Sequence, residues 1–328
     1  PDASTPDAST PDDTALRELV RYAVMAPSSH NTQCWKFRLE PGRITVIPDH
    51  DRRTPAVDPD AHHLYASVGC AVENLVQAAR GLGLAAAVRY SARADAVHVA
   101  LSAAPPKRTA LFDAIPARQC SRSDYDGRPV PDDALGLLQE AGLGDGVRML
   151  LITDRERIER IVAFVAEATR AQVNDPTFIQ ELKHWIRFSD AEAERTRDGL
   201  HARASGNPPG ARWLSSLLFG AVFNTARESA KYARQIRGSA GVAVFVSDAD
   251  DRAHWIEAGR AYERFALQAT ALGIRNAFIN PPVEVAGIRT ELASWLGVGR
   301  RRPNLMVRFG YGPEMPRSLR RPIEDLIV

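Results

Sequence analysis

The feature that most constrains the fold is a segment that occurs twice. Residues 69–83 read GCAVENLVQAARGLG, and residues 259–273 read GRAYERFALQATALG, so glycine, glutamate, alanine, leucine and glycine recur at the same offsets. Both copies carry an apolar face at helical spacing, and both close on Leu-Gly, which suits a left-handed helix end. The repeat predicts two related long helices at the core of two related halves.

A second correspondence supports the duplication. The helix predicted over 16–25 resembles one predicted over 135–143, and each follows an aspartate suited to an N-cap, Asp12 or Asp132. The distance from this helix to the repeated one is about 71 residues longer in the second half, so an insertion lies between 153 and 239. It contains predicted helices over 155–172 and 178–197 and an apolar, aromatic patch over 213–223. Long insertions of this kind often cover a site as a lid.

Strands are few and dispersed, which favours an α+β fold with helical layers. The run Val-Ala-Val-Phe-Val at 242–246 is apolar throughout, as expected for a central strand covered on both faces. The first 13 residues are rich in proline, aspartate, serine and threonine and predict a disordered tail. The predicted strands cover 36–39, 44–47, 97–101, 148–153, 241–247 and 305–311.

Composition excludes several function classes. The net charge of +2 over 328 residues is too small for a general nucleic-acid or membrane-binding surface. Cys34, Cys70 and Cys120 are far apart and form no CxxC pair, which argues against a disulfide framework or a zinc site. No apolar run approaches the roughly 20 residues that span a bilayer, and no export signal is evident, so we expect a cytoplasmic protein.

Three other patterns suggest chemistry and have plainer explanations. Ser28-Ser29-His30 is no catalytic triad, because adjacent residues in a turn cannot form one and no GxSxG elbow exists. His62-His63 is expected to have a capping or surface role, because neighbouring histidines point to different sides and no carboxylate at helical spacing completes a metal site. The glycines at 142, 144 and 146 form a connection into a strand. We therefore expect no metal site, and expect Glu73 and Glu263 to be structural members of the repeated helix.

The segment Ala-Pro-Ser-Ser-His-Asn-Thr-Gln-Cys-Trp at 26–35 is the best candidate for a binding site. It ends one helix with a proline and small polar residues and then continues into an apolar strand. Such a turn can present amides and hydroxyls to a flat, polar ligand, and loops between ordered elements are where sites are usually found.

Four segments together carry a family resemblance: the turn at 26–35, the helix from Gly69, the segment Arg-Gln-Cys-Ser-Arg-Ser-Asp-Tyr at 118–125, and the ending 316–325. They resemble the FMN-dependent nitroreductase family over nearly the whole chain after residue 14. In ordinary members two identical chains pair, one giving the arginines for the flavin phosphate and the other the Pro-Ser-Ser-x-Asn turn. Here one chain has both, which resembles the tandem-domain branch of Acg-like FMN-binding proteins, as does the segment Arg-Thr-Pro-Ala-Val-Asp-Pro at 53–59.

The resemblance implies a nitroreductase-like fold in two tandem halves, 14–108 and 109–328, after a tail over 1–13. The halves would form an intramolecular pseudo-dimer, so that the protein is a monomer, and the insertion at about 155–240 would be a helical lid. Because the turn occurs only in the first half and the arginine pair only in the second, we expect a single FMN per chain.

The resemblance also assigns site residues. A terminal phosphate suits bidentate guanidinium groups, and Arg118 and Arg122 match the family's phosphate clamp, with Arg320 as its third cationic contact. Cys120 stands where the family commonly has serine or threonine, and Ser121 could substitute for it as a donor.

Two further groups match flavin-contacting parts of the family. Pro27, Ser28, Ser29 and Asn31 match the turn that lies against the flavin ring and ribityl chain. Asn280, Pro281 and Pro282 match the region near the reactive ring nitrogen, although the usual Glu-Gly pair is absent and Glu284 is a displaced candidate.

The implied function is that of an FMN-dependent oxidoreductase. A donor such as NAD(P)H would reduce the flavin and leave, and a small organic acceptor such as a nitroaromatic or quinone would then take the electrons. No side-chain acid or base is required. The alternative is a non-catalytic FMN storage or sequestration protein, in which the lid covers the flavin and excludes donors.

Overall fold

A computed structural model describes residues 11–206 and 224–328 of the chain. Most of the expected N-terminal tail, residues 1–10, and the aromatic patch over 213–223 lie outside the described residues. Elements are numbered over the described residues.

Residues 13–103 form a four-stranded sheet with two main helices. The helix α1 (Asp13–Ala23) begins at Asp12, whose carboxylate accepts a hydrogen bond from the Ala15 amide, as predicted. The strands pair antiparallel in the order β1-β2-β4-β3, and α2 connects β2 to β3. The remaining elements are β1 (Trp35–Glu40), β2 (Arg43–Pro48), α2 (His62–Gly81), β3 (Leu84–Ser91) and β4 (Ala96–Ala103).

Strands between residues 147 and 310 form another four-stranded antiparallel sheet, in the order β5-β8-β10-β9. The order of its strands and the place of its long helix, between the second and third of them, are the same as in the first sheet. Its elements are α3 (Ala110–Ala114), α4 (Asp132–Ala141), β5 (Val147–Ile152), β8 (Gly241–Ser247), α9 (Arg252–Ala271), β9 (Arg275–Phe278), α10 (Pro281–Glu284), α11 (Ala286–Trp295) and β10 (Arg302–Gly310).

The segment between β5 and β8 is mostly helical. The helix predicted over 178–197 is wrong as one element, because the chain leaves the helix at Ile186 and forms a short strand before a further helix. A second short strand after that helix pairs with the first in parallel. The described elements are α5 (Arg155–Val173), α6 (Pro176–Trp185), β6 (Ile186–Arg187), α7 (Asp190–Thr196), β7 (Leu200–His201) and α8 (Thr225–Arg237).

The repeated helices α2 and α9 pack against each other at their glycines. A methyl group on Gly69 would lie 2.0 Å from the Ile256 carbonyl oxygen, and one on Gly259 would lie 1.9 Å from the Ala66 carbonyl oxygen. The backbones therefore touch where only glycine fits. The Cys70 thiol adds a contact of 3.3 Å to the Gly259 carbonyl oxygen. Both helices end as predicted, with Gly83 and Gly273 at positive φ.

One hydrophobic core continues from the first sheet through α2 and α9 to the second sheet. The strand β8 is buried along its whole length, with Phe245 in this core and Val242, Val244 and Val246 in a second core under α5. The predicted central strand covered on both faces is confirmed, and so is the α+β class. The C-terminal residues cross back to β1, where Phe37 bonds to Leu326 and Val328.

Some sequence-based expectations need correction. The strands β3 and β9 were not predicted, and Pro131 rather than Asp132 is the N-cap residue of α4. Across the described ranges, no helix is both long enough and apolar enough to cross a membrane.

Candidate functional site

The turn after α1 has an unusual backbone. His30, Asn31 and Gln33 have φ values of 48°, 54° and 53°, in the left-handed region that non-glycine residues seldom adopt. Each such residue costs on the order of 1–3 kcal/mol and persists only where surrounding contacts impose it. Strained backbone of this kind clusters at functional sites. The turn predicted from the sequence is therefore a well-defined element and not a passive connection.

Contacts from distant parts of the chain hold this turn. The Asn31 amide nitrogen donates to the carbonyl oxygens of Gly199 and Leu319, and its amide oxygen accepts from Arg320. The Gln33 side chain donates to the Arg197 carbonyl oxygen over 2.8 Å. The segment between β5 and β8 and the C-terminal segment thus both bind the turn.

The two serines of the turn are used differently. The Ser28 hydroxyl accepts a hydrogen bond from the Gln33 amide and so helps to close the turn, whereas the Ser29 amide donates to the Ser67 hydroxyl on α2. Pro27 is buried beside them. These bonds fix the turn against the N-terminal part of α2.

Arg118 and Arg320 meet directly before the turn. Both guanidinium groups donate to the Met25 carbonyl oxygen, over 2.7 Å and 3.2 Å. Arg320 also binds the carbonyl oxygens of Val24 and Ala26, which are left free at the end of α1. Arg320 is therefore committed to the backbone of this helix end, and its predicted phosphate contact stays a prediction.

Arg118 also lies beside a buried carboxylate and keeps a donor that is not hydrogen-bonded. Its Nε lies 3.0 Å from Oε1 of Glu263 on α9, and both side chains are buried. Nε is engaged in this ion pair although it is not aligned as a hydrogen bond, and Nη1 has no hydrogen-bond partner among the described residues. Burial raises the pKa of Glu263 to about 7, against the opposing effect of Arg118. The carboxyl can therefore exchange a proton near neutral pH.

The rest of the arginine segment runs along β9. Cys120 forms an isolated parallel β-bridge with Asn276 through the backbone. The Ser121 hydroxyl donates a hydrogen bond to the Pro313 carbonyl oxygen. Ser121 is thus engaged with the backbone, while Cys120 is a half-buried free thiol. Arg122 is half-buried, and its guanidinium group forms no hydrogen bond or ion pair with any residue in the described part of the chain. Arg122 is accordingly the available cation of the segment.

His30 lies in a polar group with residues from three other elements. Burial lowers its pKa to about 4, with an opposing effect of Glu284 and smaller lowering effects of Arg122 and His63. Glu284 at the end of α10 accepts from the Gln172 amide over 2.6 Å, and its Oε1 lies 3.4 Å from His63 Nε2. The neutral His30 imidazole can both donate and accept a hydrogen bond at pH 7.

The predicted site residues Asn280, Pro281 and Pro282, which follow β9, have structural roles in the fold. The Asn280 side chain accepts from the Met306 amide over 2.9 Å, and Pro281 and Pro282 are buried in the first turn of α10. Because these residues begin the short helix α10, they fix the position of Glu284 at its end. Glu284 joins the polar group around His30 through its contact with His63, and not through the prolines.

The surface role expected for His62 and His63 is wrong, because both side chains are buried in the first turn of α2. Asp58 accepts the amides of His63 and Leu64 and so caps this helix. The sequence showed the carboxylate at Asp58, but the start of α2 seven residues before Gly69 was not recognised. Glu263 was expected to be structural, and its pairing with Arg118 has no local sequence signal.

The chain is similar along most of its length to curated mycobacterial proteins. It is 27% identical over 325 residues to "Putative NAD(P)H nitroreductase Rv3131" of Mycobacterium tuberculosis H37Rv, covering 95% of this chain and 90% of the relative. It is 25% identical over 323 residues to "Putative NAD(P)H nitroreductase acg" of the same strain, covering 95% and 94%. The resemblance to nitroreductases and to Acg-like proteins is confirmed at the level of sequence. No protein-family model matches the chain.

Solved structures align over part of the chain. A nitroreductase with bound FMN from Desulfitobacterium hafniense covers 68% of this chain and 98% of its own, with a TM-score of 0.40 and 17% identity. These values are too low to carry a conclusion about function.

Proposed function

We propose that the chain is an FMN-dependent oxidoreductase of the nitroreductase type, with one flavin bound where the turn at 26–35 faces Arg118 and Arg122. One observation carries the proposal: guanidinium groups from distant parts of the chain converge on Met25, directly before the strained turn. Arg118 has one buried donor, Nη1, without a hydrogen-bond partner, and Arg122 is unpaired among the described residues. These are the donors that a terminal phosphate requires.

The charges of Arg118 and Glu263 also bear on how a phosphate could bind. A phosphate beside Arg118 would bring negative charge close to Glu263. Because burial raises the pKa of Glu263 to about 7, that carboxyl can take up a proton when the phosphate supplies the charge that Arg118 needs. A phosphate could therefore replace Glu263 as the charge partner of Arg118, because the carboxyl would be neutralised by the proton that it takes up.

FMN, when bound, supplies a carrier that accepts and returns two electrons. The protein's part is to bind and orient. Arg118 and Arg122 would hold the phosphate, the turn residues Pro27, Ser28, Ser29 and Asn31 would line the ribityl chain and ring, and Arg320 would support the turn. His30, neutral at pH 7, would donate or accept a hydrogen bond at the ring edge. We further propose Cys120, Ser121, Asn280, Pro281 and Pro282 as surrounding residues of the same site.

The proposal includes the arrangement of the chain. We propose that 14–108 and 109–328 are tandem halves of a pseudo-dimer, supported by their common strand order and by the packing of α2 on α9. The segment at about 155–240 would be the lid, since Arg197 and Gly199 bind the turn. A lid held in this way also supports the alternative, a protein that stores FMN without turnover.

Anaerobic reduction distinguishes the two functions. We expect the yellow holoprotein to lose its flavin absorbance when NADPH or NADH is added without oxygen, and to regain it when a quinone or nitroaromatic is added. A chemical reductant serves as the control that the bound flavin can be reduced at all. If dithionite bleaches the flavin and neither nicotinamide does, the nicotinamide-dependent reductase is wrong. Turnover with any physiological donor and acceptor would rule out storage.

A further inference from the structure

Asp58, His62 and His63 form a buried cluster at the start of α2. Each offers one metal-ligating atom, and these atoms lie within 4.8 Å of one another. The three side chains are at least nine-tenths buried, with exposures of 3%, 1% and 5%. Two histidines and one carboxylate are a donor set typical of first-row transition metals. None of the three residues is proposed above to hold FMN, but His63 belongs to the polar group around His30 and so borders the proposed flavin site. The sequence had led us to expect no metal site.

The hydrogen bonds leave lone pairs free on all three residues. The Asn304 amide nitrogen donates to Ser247 and to the Arg302 carbonyl, so its oxygen faces His62 and accepts from His62 Nε2 at 2.9 Å. This assigns the proton to Nε2 and leaves Nδ1 of His62 as a lone-pair nitrogen. A second partner of this kind is what orients a metal-bound histidine.

His63 and Asp58 retain acceptor capacity as well. The nearest partner of the buried His63 Nε2 among the described residues is Glu284 Oε1, at 3.4 Å, which is too long for a well-formed hydrogen bond. Asp58 accepts one amide on each oxygen, and a carboxylate has about four lone-pair sites, so two remain. A buried nitrogen with only this long contact is weakly satisfied, and a bound cation would give the neutral imidazole a closer partner.

The surrounding charges permit a divalent cation. Arg302 lies close to the cluster but is paired with Asp60 and Asp250, both at 2.7 Å. Arg289 adds a second guanidinium group, and Asp58 and Glu284 add two further carboxylates. Carboxylates thus outnumber guanidinium groups around the cluster by four to two, and this surplus of acidic groups favours a bound cation over an anion.

The cluster opens onto a cavity of about 260 Å³. Asp58, His62, His63 and Glu284 all line this cavity, so an ion bound there would have room for water or another ligand beside the protein donors. Three protein ligands with an open position are the arrangement of catalytic rather than structural zinc sites.

We propose that Asp58, His62 and His63 form a binding site for a divalent transition-metal ion such as Zn²⁺, with its open coordination positions toward the cavity beside Glu284. The metal ligands are different residues from those proposed to hold FMN, although His63 borders the polar group around His30. Zinc binding and FMN binding can therefore be measured separately, and either proposal can fail without the other.

Zinc binding to the holoprotein tests this inference. After equilibrium dialysis against Zn²⁺ and metal analysis, we expect one zinc per chain in the wild type and at least about tenfold weaker binding in His62→Gln and in His63→Gln. His98→Gln is the matched control, because His98 is a part-buried histidine bonded to Thr45, away from the cluster. The inference is overturned if the wild type binds no stoichiometric zinc, or if both cluster variants bind it as tightly as the control.

A measurement on the wild type alone covers the case in which the variants do not fold. Cobalt(II) in the site should give visible d–d absorption without the thiolate charge-transfer absorption of a cysteine ligand. Such a charge-transfer band would place the ion on Cys34, Cys70 or Cys120 and would overturn the assignment.

Discussion

A double variant with Arg118→Ala and Arg122→Ala is expected to be purified without FMN. Each charge-assisted contact to a phosphate is worth roughly 1.5–3 kcal/mol, so losing two weakens binding by about 3–6 kcal/mol, or roughly 10²- to 10⁴-fold. The measurement is the dissociation constant for FMN, from quenching of flavin fluorescence as the apoprotein is titrated.

The matched control is Arg17→Ala with Arg21→Ala. These arginines are also four residues apart, but they form exposed ion pairs with Asp13 and Glu18 on α1, so FMN binding should not change. Because Arg118→Ala also leaves Glu263 buried without its cation, Arg122→Ala alone is the variant whose folding should be unaffected. Wild-type affinity in both Arg122→Ala and the double variant would contradict the phosphate assignment.

Substitution of Gly259 or Gly69 by alanine is expected to have the largest effect on stability. The added methyl group would lie about 2 Å from a backbone carbonyl oxygen of the facing helix, so α2 and α9 must separate. Overpacking commonly costs 1–3 kcal/mol, and no flexible side chain can yield here. We expect each variant to lower the free energy of unfolding by about 3 kcal/mol or more, measured by urea denaturation.

Gly136→Ala is the control for helix propensity. Gly136 also lies inside a helix, α4, but a methyl group there meets no atom within 4 Å. This variant should be neutral or more stable by up to about 1 kcal/mol, because alanine loses less backbone entropy than glycine. If Gly259→Ala behaved like Gly136→Ala, the close crossing of the repeated helices would be wrong.

The sequence predicted the fold well where the pattern was local. Apolar runs located six strands, and the paired Leu-Gly ends located the two central helices. The strand β3 was missed because Leu84–Ser91 is rich in alanine and alternates half-buried with exposed positions, which gives a weak strand signal. The helix over 178–197 failed because its apolar period continues past Ile186, where the backbone becomes extended.

The sequence segments that form the candidate site were predictable, but the tertiary contacts between them were not. The turn and the arginine segment were evident from their residues. The pairing of Arg118 with Glu263, 145 positions later, and the use of Arg320 on the end of α1 depend on tertiary structure. The buried histidines were misjudged for the same reason, because Asp58 and Glu284 reach them from outside α2.

The ratio of FMN to protein tests the central proposal most directly. The flavin released by denaturing the saturated holoprotein is measured by absorbance, and the chain is counted by amino-acid analysis. One FMN per chain is the predicted result, because the turn at 26–35 and the pair Arg118 and Arg122 each occur once. Two FMN per chain, or no binding at saturating flavin, would contradict a single site built from those two groups.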